Sequence, residues 1–119
     1  MEAEDILIQT LEVFSLPVMR QGSMEEDEEY PESFFTFWNN YTEETEHYNN
    51  ESHAEKTSFD VNFYSDNPTE VYGRLREAKR ELKAAGFVIT DAGHDVGSDI
   101  ETHTGRGIEV EIIIKTNLC

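Results

Sequence analysis

The sequence predicts an α+β domain, a largely antiparallel sheet of about four to five strands with two helices packed on one face. Three observations carry this. Thr57, Phe59, Val61 and Phe63 alternate with Ser58, Asp60, Asn62 and Tyr64, the period of two that marks a strand with one buried face. Asn67 and Pro68 then open an amphipathic helix that stops at Gly86. Ile108, Val110, Ile112 and Ile114 alternate with Glu109, Glu111 and Lys115 in the clearest strand of the chain.

Taken in order, residues 2–15 predict the first helix. Glu2, Glu4 and Asp5 lie near its positive end, and Ala3, Ile6, Leu7, Leu11 and Phe14 share one side. Pro17 stops it, and residues 18–20 form a short strand. Residues 22–32 are an acidic loop holding Glu25, Glu26, Asp27, Glu28 and Glu29, whose mutual repulsion predicts an extended, mobile segment. Residues 33–42 carry Phe34, Phe35, Phe37, Trp38 and Tyr41 on both faces of an aromatic strand, with Phe37 and Trp38 expected in the core. The second aromatic face then needs cover from a helix, a loop or a partner subunit. Residues 43–54 are polar and predict a hairpin loop.

The helix after the central strand has Pro at its first position, where the missing N–H costs nothing, and Glu70 is placed to close a capping box on Asn67. Val71, Leu75, Ala78, Leu82 and Ala85 recur at steps of four and three, one stripe along about 27 Å of helix. Arg76, Lys79, Arg80 and Lys83 make a second, basic stripe roughly opposite, flanked by Glu70, Glu77 and Glu81. Residues 87–90 read as a short strand and residues 91–107, with Gly93, Gly97, Gly105 and Gly107, as a loop. No repeat or linker divides the 119 residues, so residues 1–119 are expected to form a single domain.

Charge is the compositional outlier. Lys and Arg number 9 against 26 Asp and Glu, a net charge of −17, which argues against binding nucleic acid through its phosphates and against docking on an anionic membrane. The excess is uneven: residues 1–66 hold 17 acids and two bases, residues 67–119 nine acids and seven bases. An acidic surface and a more balanced one on the same chain make self-association of unlike patches electrostatically feasible. The single cysteine, Cys119, provides no disulfide framework and suits a reducing cytosol. A signal pattern and an apolar run of the roughly 20 residues needed to span a bilayer are both missing, which predicts a soluble chain.

Catalytic signals are weak. The histidines are His47, His53, His94 and His103, and the densest potential ligand cluster, His94, Asp95, Asp99 and His103, matches no metal-site spacing. The acids of 91–99 lack the EF-hand pattern, and the glycines of 93–107 lead into a strand rather than a helix, so they do not form a phosphate loop. No enzyme, metal or cofactor is expected.

The motifs "EEYPESFFTFWNNY" at 28–41, "FDVNFYSDNPTEVYGRLREAKRELKAAGF" at 59–87 and "DIETHTGRGIEVEI" at 99–112, in this order over nearly the whole chain, resemble the tail completion proteins of long-tailed phages and prophages, also called tail terminators or tail-to-head joining proteins. The resemblance implies a structural protein that closes the tail tube as a ring, typically of six copies, and offers the head connector a docking surface. Its partners would be copies of itself, the tail tube protein and the head connector protein. DNA would pass through the ring without specific binding. The protein would occupy the bacterial host cytoplasm during assembly and the head-tail interface of the virion. The uneven charge supplies candidate interface residues for such a ring: Glu25, Glu26, Asp27, Glu28 and Glu29 on one side and Arg76, Lys79, Arg80, Lys83 and Arg106 on the other. The charge supports a second reading from another class, an acidic DNA mimic that inhibits a nucleic-acid-binding protein.

Overall fold

The computed structural model describes residues 2–20, 31–45, 52–97 and 102–117. Helix α1 (Ala3–Leu11) continues into a single 3-10 turn (Glu12–Phe14), followed by β1 (Val18–Arg20), β2 (Ser33–Thr45), β3 (Ser52–Ser65), α2 (Pro68–Ala84), β4 (Val88–Val96) and β5 (Thr104–Asn117). The five strands form one sheet in the order β1-β2-β3-β5-β4. Only the short β1 runs parallel to its neighbour; the other three pairings are antiparallel. This is the expected α+β fold with two helices packed against a largely antiparallel sheet.

The core lies between the helices and one sheet face. Phe35 and Phe37 of β2, Phe59, Val61 and Phe63 of β3 and Ile108, Val110 and Ile112 of β5 meet Leu7 and Leu11 of α1 and Val71, Leu75, Ala78 and Leu82 of α2, all buried. The registers put these residues on one face: Phe37 stands opposite Val61, and Val61 opposite Ile108. The ring centroids of Phe35 and Phe63 are 4.8 Å apart, an aromatic pair that adds to the area buried. Ala85, expected on the buried stripe of α2, is exposed at the end of the helix.

Both ends of α2 are built by local chemistry. Asn67 Oδ1 accepts the Thr69 N–H at 3.1 Å, satisfying one of the unpaired donors of the first turn. The expected capping box with Glu70 does not form. The Asn67 N–H instead donates to Ser65 Oγ, and the Glu70 carboxylate accepts from the Ser33 and Ser65 hydroxyls, tying the helix start to β2 and β3. At the other end the Phe87 N–H bonds to Leu82 O and the Gly86 N–H to Lys83 O. That pairing needs a left-handed residue, and Gly86 sits at φ 106.

Four expectations are corrected. Residues 91–107 are not a loop: β4 continues to Val96 and β5 begins at Thr104. Their glycines hid the pattern because they serve the packing of neighbours. A Cβ on Gly105 would lie 2.6 Å from the Tyr64 ring, and one on Gly107 2.3 Å from Asn62 Oδ1. Residues 43–54 are largely strand, with β2 running to Thr45 and β3 starting at Ser52; residues 46–51 lie outside the described ones. The first helix is α-helical only to Leu11. Finally, Trp38 is not in the core. It is 51% exposed, whereas Phe37 is 2% exposed, because adjacent strand residues point to opposite faces and only one face is covered by helices.

Candidate interaction surfaces

The basic stripe of α2 does not face solvent evenly. Arg76, Lys79, Arg80 and Lys83 form one wall of a groove of about 730 Å³, whose floor and other wall are Phe87, Val88, Ile89 and Ala92 at the start of β4. Helical spacing aligns the four cations, since steps of three and four return to one side. The Lys79 Nζ donates to the carbonyl of Ala92 at 2.9 Å, joining helix to edge strand. Phe87 is buried and Ile89 half-buried, while Val88, 59% exposed, lies at the rim with its side chain on the opposite sheet face. The groove therefore combines a cationic wall with an apolar floor.

The pairing of the cations sets those of this groove, together with the lone Lys115 of β5, apart from the other described ones. Arg20 is held by Glu4, Lys56 by Glu43, Arg74 by Glu70 and Glu77, and Arg106 by Asp95. Among the described residues, none of Arg76, Lys79, Arg80 and Lys83 has a carboxylate within ion-pair distance. In a chain of net charge −17, four neighbouring cations without acids form a local reversal of sign. The field of such a patch attracts anions over about a Debye length, 8 to 10 Å in ordinary salt.

Arg106 was expected to act with this stripe, and the structure places it elsewhere. It lies within β5, its Nη1 2.8 Å from Asp95 Oδ1 and its guanidinium 5.0 Å from the centre of the Tyr72 ring. Its charge and its flat face are both engaged, so it braces α2 against β4 and β5. The acids Glu25, Glu26, Asp27, Glu28 and Glu29 lie outside the described residues.

Among the described residues, no helix covers the opposite sheet face. The side chains of Trp38, Tyr41, Ile113 and Val88 on this face are 51%, 42%, 55% and 59% exposed. The register sets Trp38 beside Asp60, Asp60 beside Glu109 and Glu109 beside Asp91. Three carboxylates thus stand in a row on adjacent strands, an arrangement that costs stability when like charges are directly opposed. Asn40 donates to Asp60 Oδ1 at 3.0 Å. It reaches it because a bulge between Asn39 and Tyr41 adds a residue to β2. Lys56 is the counterweight on this face. Its bond to Glu43 holds the ammonium above its ordinary pKa, helped by Tyr41 and Glu111.

Near the free end of β4, the Gly93 N–H donates to the Asp91 carboxylate, and His94 Nδ1 lies 2.9 Å from it. The Gly93 bond, with the charges of His94 and Arg106, holds Asp91 below the usual carboxylate pKa. His103 is engaged elsewhere, its Nε2 2.8 Å from Pro31 O and its ring 6.0 Å from Phe34. His94, Asp95 and His103 do not converge, and Asp99 and His47 lie outside the described residues. Among the described residues no three His, Cys, Asp or Glu side chains come together as a metal site, and no helix is long and apolar enough to cross a membrane.

The sequence shows the cations and the strand of residues 87–90, but not that this strand lies along the cationic flank of the helix, which depends on the pairing of β4 with β5. The exposed face could have been found from parity. Trp38 is one residue out of phase with Phe35 and Phe37, which are in phase with the strand that the central helix covers. No protein-family model matches the chain, and no curated protein matches it.

Proposed function

We propose that this chain is a structural assembly protein of the tail completion kind, acting as a ring of copies that closes a phage tail tube and presents a docking surface to the head connector. The observation that carries the reading is the groove of Arg76, Lys79, Arg80 and Lys83, four cations without acid partners among the described residues of a strongly acidic chain. A ring requires a heterologous contact, in which one patch on each copy meets a different patch on the next. Each copy here offers a basic groove at the α2–β4 edge and acidic surface elsewhere, so the contact is complementary between neighbours and repulsive between identical patches. No covalent chemistry is involved, and the working residues are interface residues.

The test is to mix the purified protein with tail tubes lacking their terminal ring and measure the mass and position of what binds. A fixed small number of copies at one end of each tube is expected. Binding along the tube length, or no binding, refutes the reading.

The row Asp60, Glu109 and Asp91 beside Trp38 favours the second reading, a DNA mimic that occupies a basic nucleic-acid-binding protein. A mimic would bind such a protein as a monomer or dimer and be displaced by duplex DNA. The assembly protein would show neither behaviour.

A further inference from the structure

The groove between α2 and β4 is open and follows the cations of the helix, so an extended segment can lie along it. The chain contains one segment whose chemistry matches both walls. Residues 24–30 read Met24, Glu25, Glu26, Asp27, Glu28, Glu29, Tyr30, five acids bracketed by two large apolar side chains. The acids complement Arg76, Lys79, Arg80 and Lys83, and the apolar ends suit a floor that includes the half-buried Ile89. We propose that this groove receives residues 24–30 of a second copy of the chain. The proposal rests on the assembly reading above and supplies its neighbour-to-neighbour contact.

Chain length decides that the donor is another copy. Val88 stands opposite Glu111, Glu111 opposite Ser58, and Ser58 opposite Tyr41. The Lys83–Val88 end of the groove is therefore level with Tyr41, about 30 Å along the strands from Pro31. Glu25, the acid furthest from Pro31, is six residues from it and can reach at most about 21 Å. From the other anchor, Arg20, the groove is four strand spacings away, about 19 Å across the sheet, and Glu25 is five residues from Arg20, about 17 Å fully stretched. The acids of one copy cannot fill its own groove from end to end. The donor residues follow β1 in sequence, at one sheet edge, and the acceptor groove lies at the other, which makes the contact head-to-tail.

The binding test uses the full chain with its own acids neutralised (Glu25→Gln, Glu26→Gln, Asp27→Asn, Glu28→Gln, Glu29→Gln) and a synthetic peptide of residues 23–31, followed by amide chemical shifts. Saturable shifts centred on residues 76–83 and 87–92 are expected, weakening as salt rises. Arg76→Ala, Arg80→Ala and Lys83→Ala together should weaken binding about tenfold or more. All three side chains are exposed, and an unchanged amide spectrum elsewhere will verify that the variant is folded. Shifts centred on the open sheet face, equal binding by a scrambled peptide, or tighter binding of the groove to duplex DNA each overturn the proposal.

The origin of the donor is read separately in a Cys119→Ser background. Chains carrying Asp27→Cys are mixed with chains carrying Arg80→Cys and treated with a short thiol crosslinker; the expected product joins the two chains. A chain carrying both changes that crosslinks only within itself overturns the proposal. Failure of the peptide and crosslinking tests with normal binding to tail tubes sinks this contact alone. Success in both without tail binding sinks the assembly reading and leaves the contact standing.

Discussion

Phe37→Ala and Trp38→Ala alter neighbouring side chains on β2 and should have opposite consequences. Phe37 is 2% exposed and lies edge-on to Phe59, with ring centroids 6.3 Å apart. Truncating it removes the transfer energy of the ring and leaves a cavity between β2, β3 and the helices, a cost of about 3 to 5 kcal/mol. A domain of this size has a total stability on the order of 5 to 15 kcal/mol, so the variant loses a large part of it. With a urea slope of about 2 kcal/mol per molar, the unfolding midpoint falls by roughly 2 M. Trp38 is half exposed on the helix-free face and should cost about 1 kcal/mol or less. Circular dichroism is the suitable readout, because Trp38 is the only tryptophan and its removal abolishes the fluorescence signal. In the parent, that fluorescence should already be quenched by acrylamide in the native state. Equal destabilisation by the two substitutions, or a native tryptophan shielded from quencher, would refute the assignment of the two faces.

Three further outcomes are expected. Gly105→Ala should destabilise by about 1 to 3 kcal/mol in denaturant titration, since the new methyl would press on Tyr64 and on Val96 while Tyr64 is stacked on Phe34 at 5.2 Å; a variant as stable as the parent would show that the ring can swing aside. Asn67→Ala should cost about 1 kcal/mol through loss of the Thr69 cap, measurable as a shift of the urea midpoint, and no shift would mean that the Ser65 and Glu70 contacts hold the helix start alone. Asp91 should titrate below the ordinary carboxylate value when followed by carboxyl carbon NMR, because the Gly93 N–H and His94 stabilise its charged form. A depressed folded pKa contributes stability above the unfolded pKa that is lost as pH falls through the folded one, so Asp91→Asn should flatten the acid limb of stability; a midpoint at or above the ordinary value contradicts this.

Part of this protein was written locally. The period of two in residues 57–64 and 108–114, the Asn67-Pro68 start and the Gly86 stop of α2 are set by backbone geometry and by side chains within a few residues, so the central strand, the last strand and the second helix were legible in order. The buried stripe of Val71, Leu75, Ala78 and Leu82 was legible for the same reason. So was the cationic stripe, although not what stands against it. Long-range contact decided the rest. Gly105 and Gly107 resemble turn residues until Tyr64, Asn62, His94 and Val96 are packed over them, which only the β3–β5 and β4–β5 pairings bring about. Glu70 fits a capping box in sequence, but in the fold it meets Ser33, a residue 37 positions away. Arg106 has the same charge as Arg80, yet Asp95 and Tyr72 engage it, while Arg80 lines an open groove. The α2–β4 groove exists because Phe87 and the first residues of β4, Val88 to Ala92, return along the flank of the helix they follow. Propensity and pattern specify which elements form; which charges remain unpaired depends on the distances that the tertiary fold imposes between them.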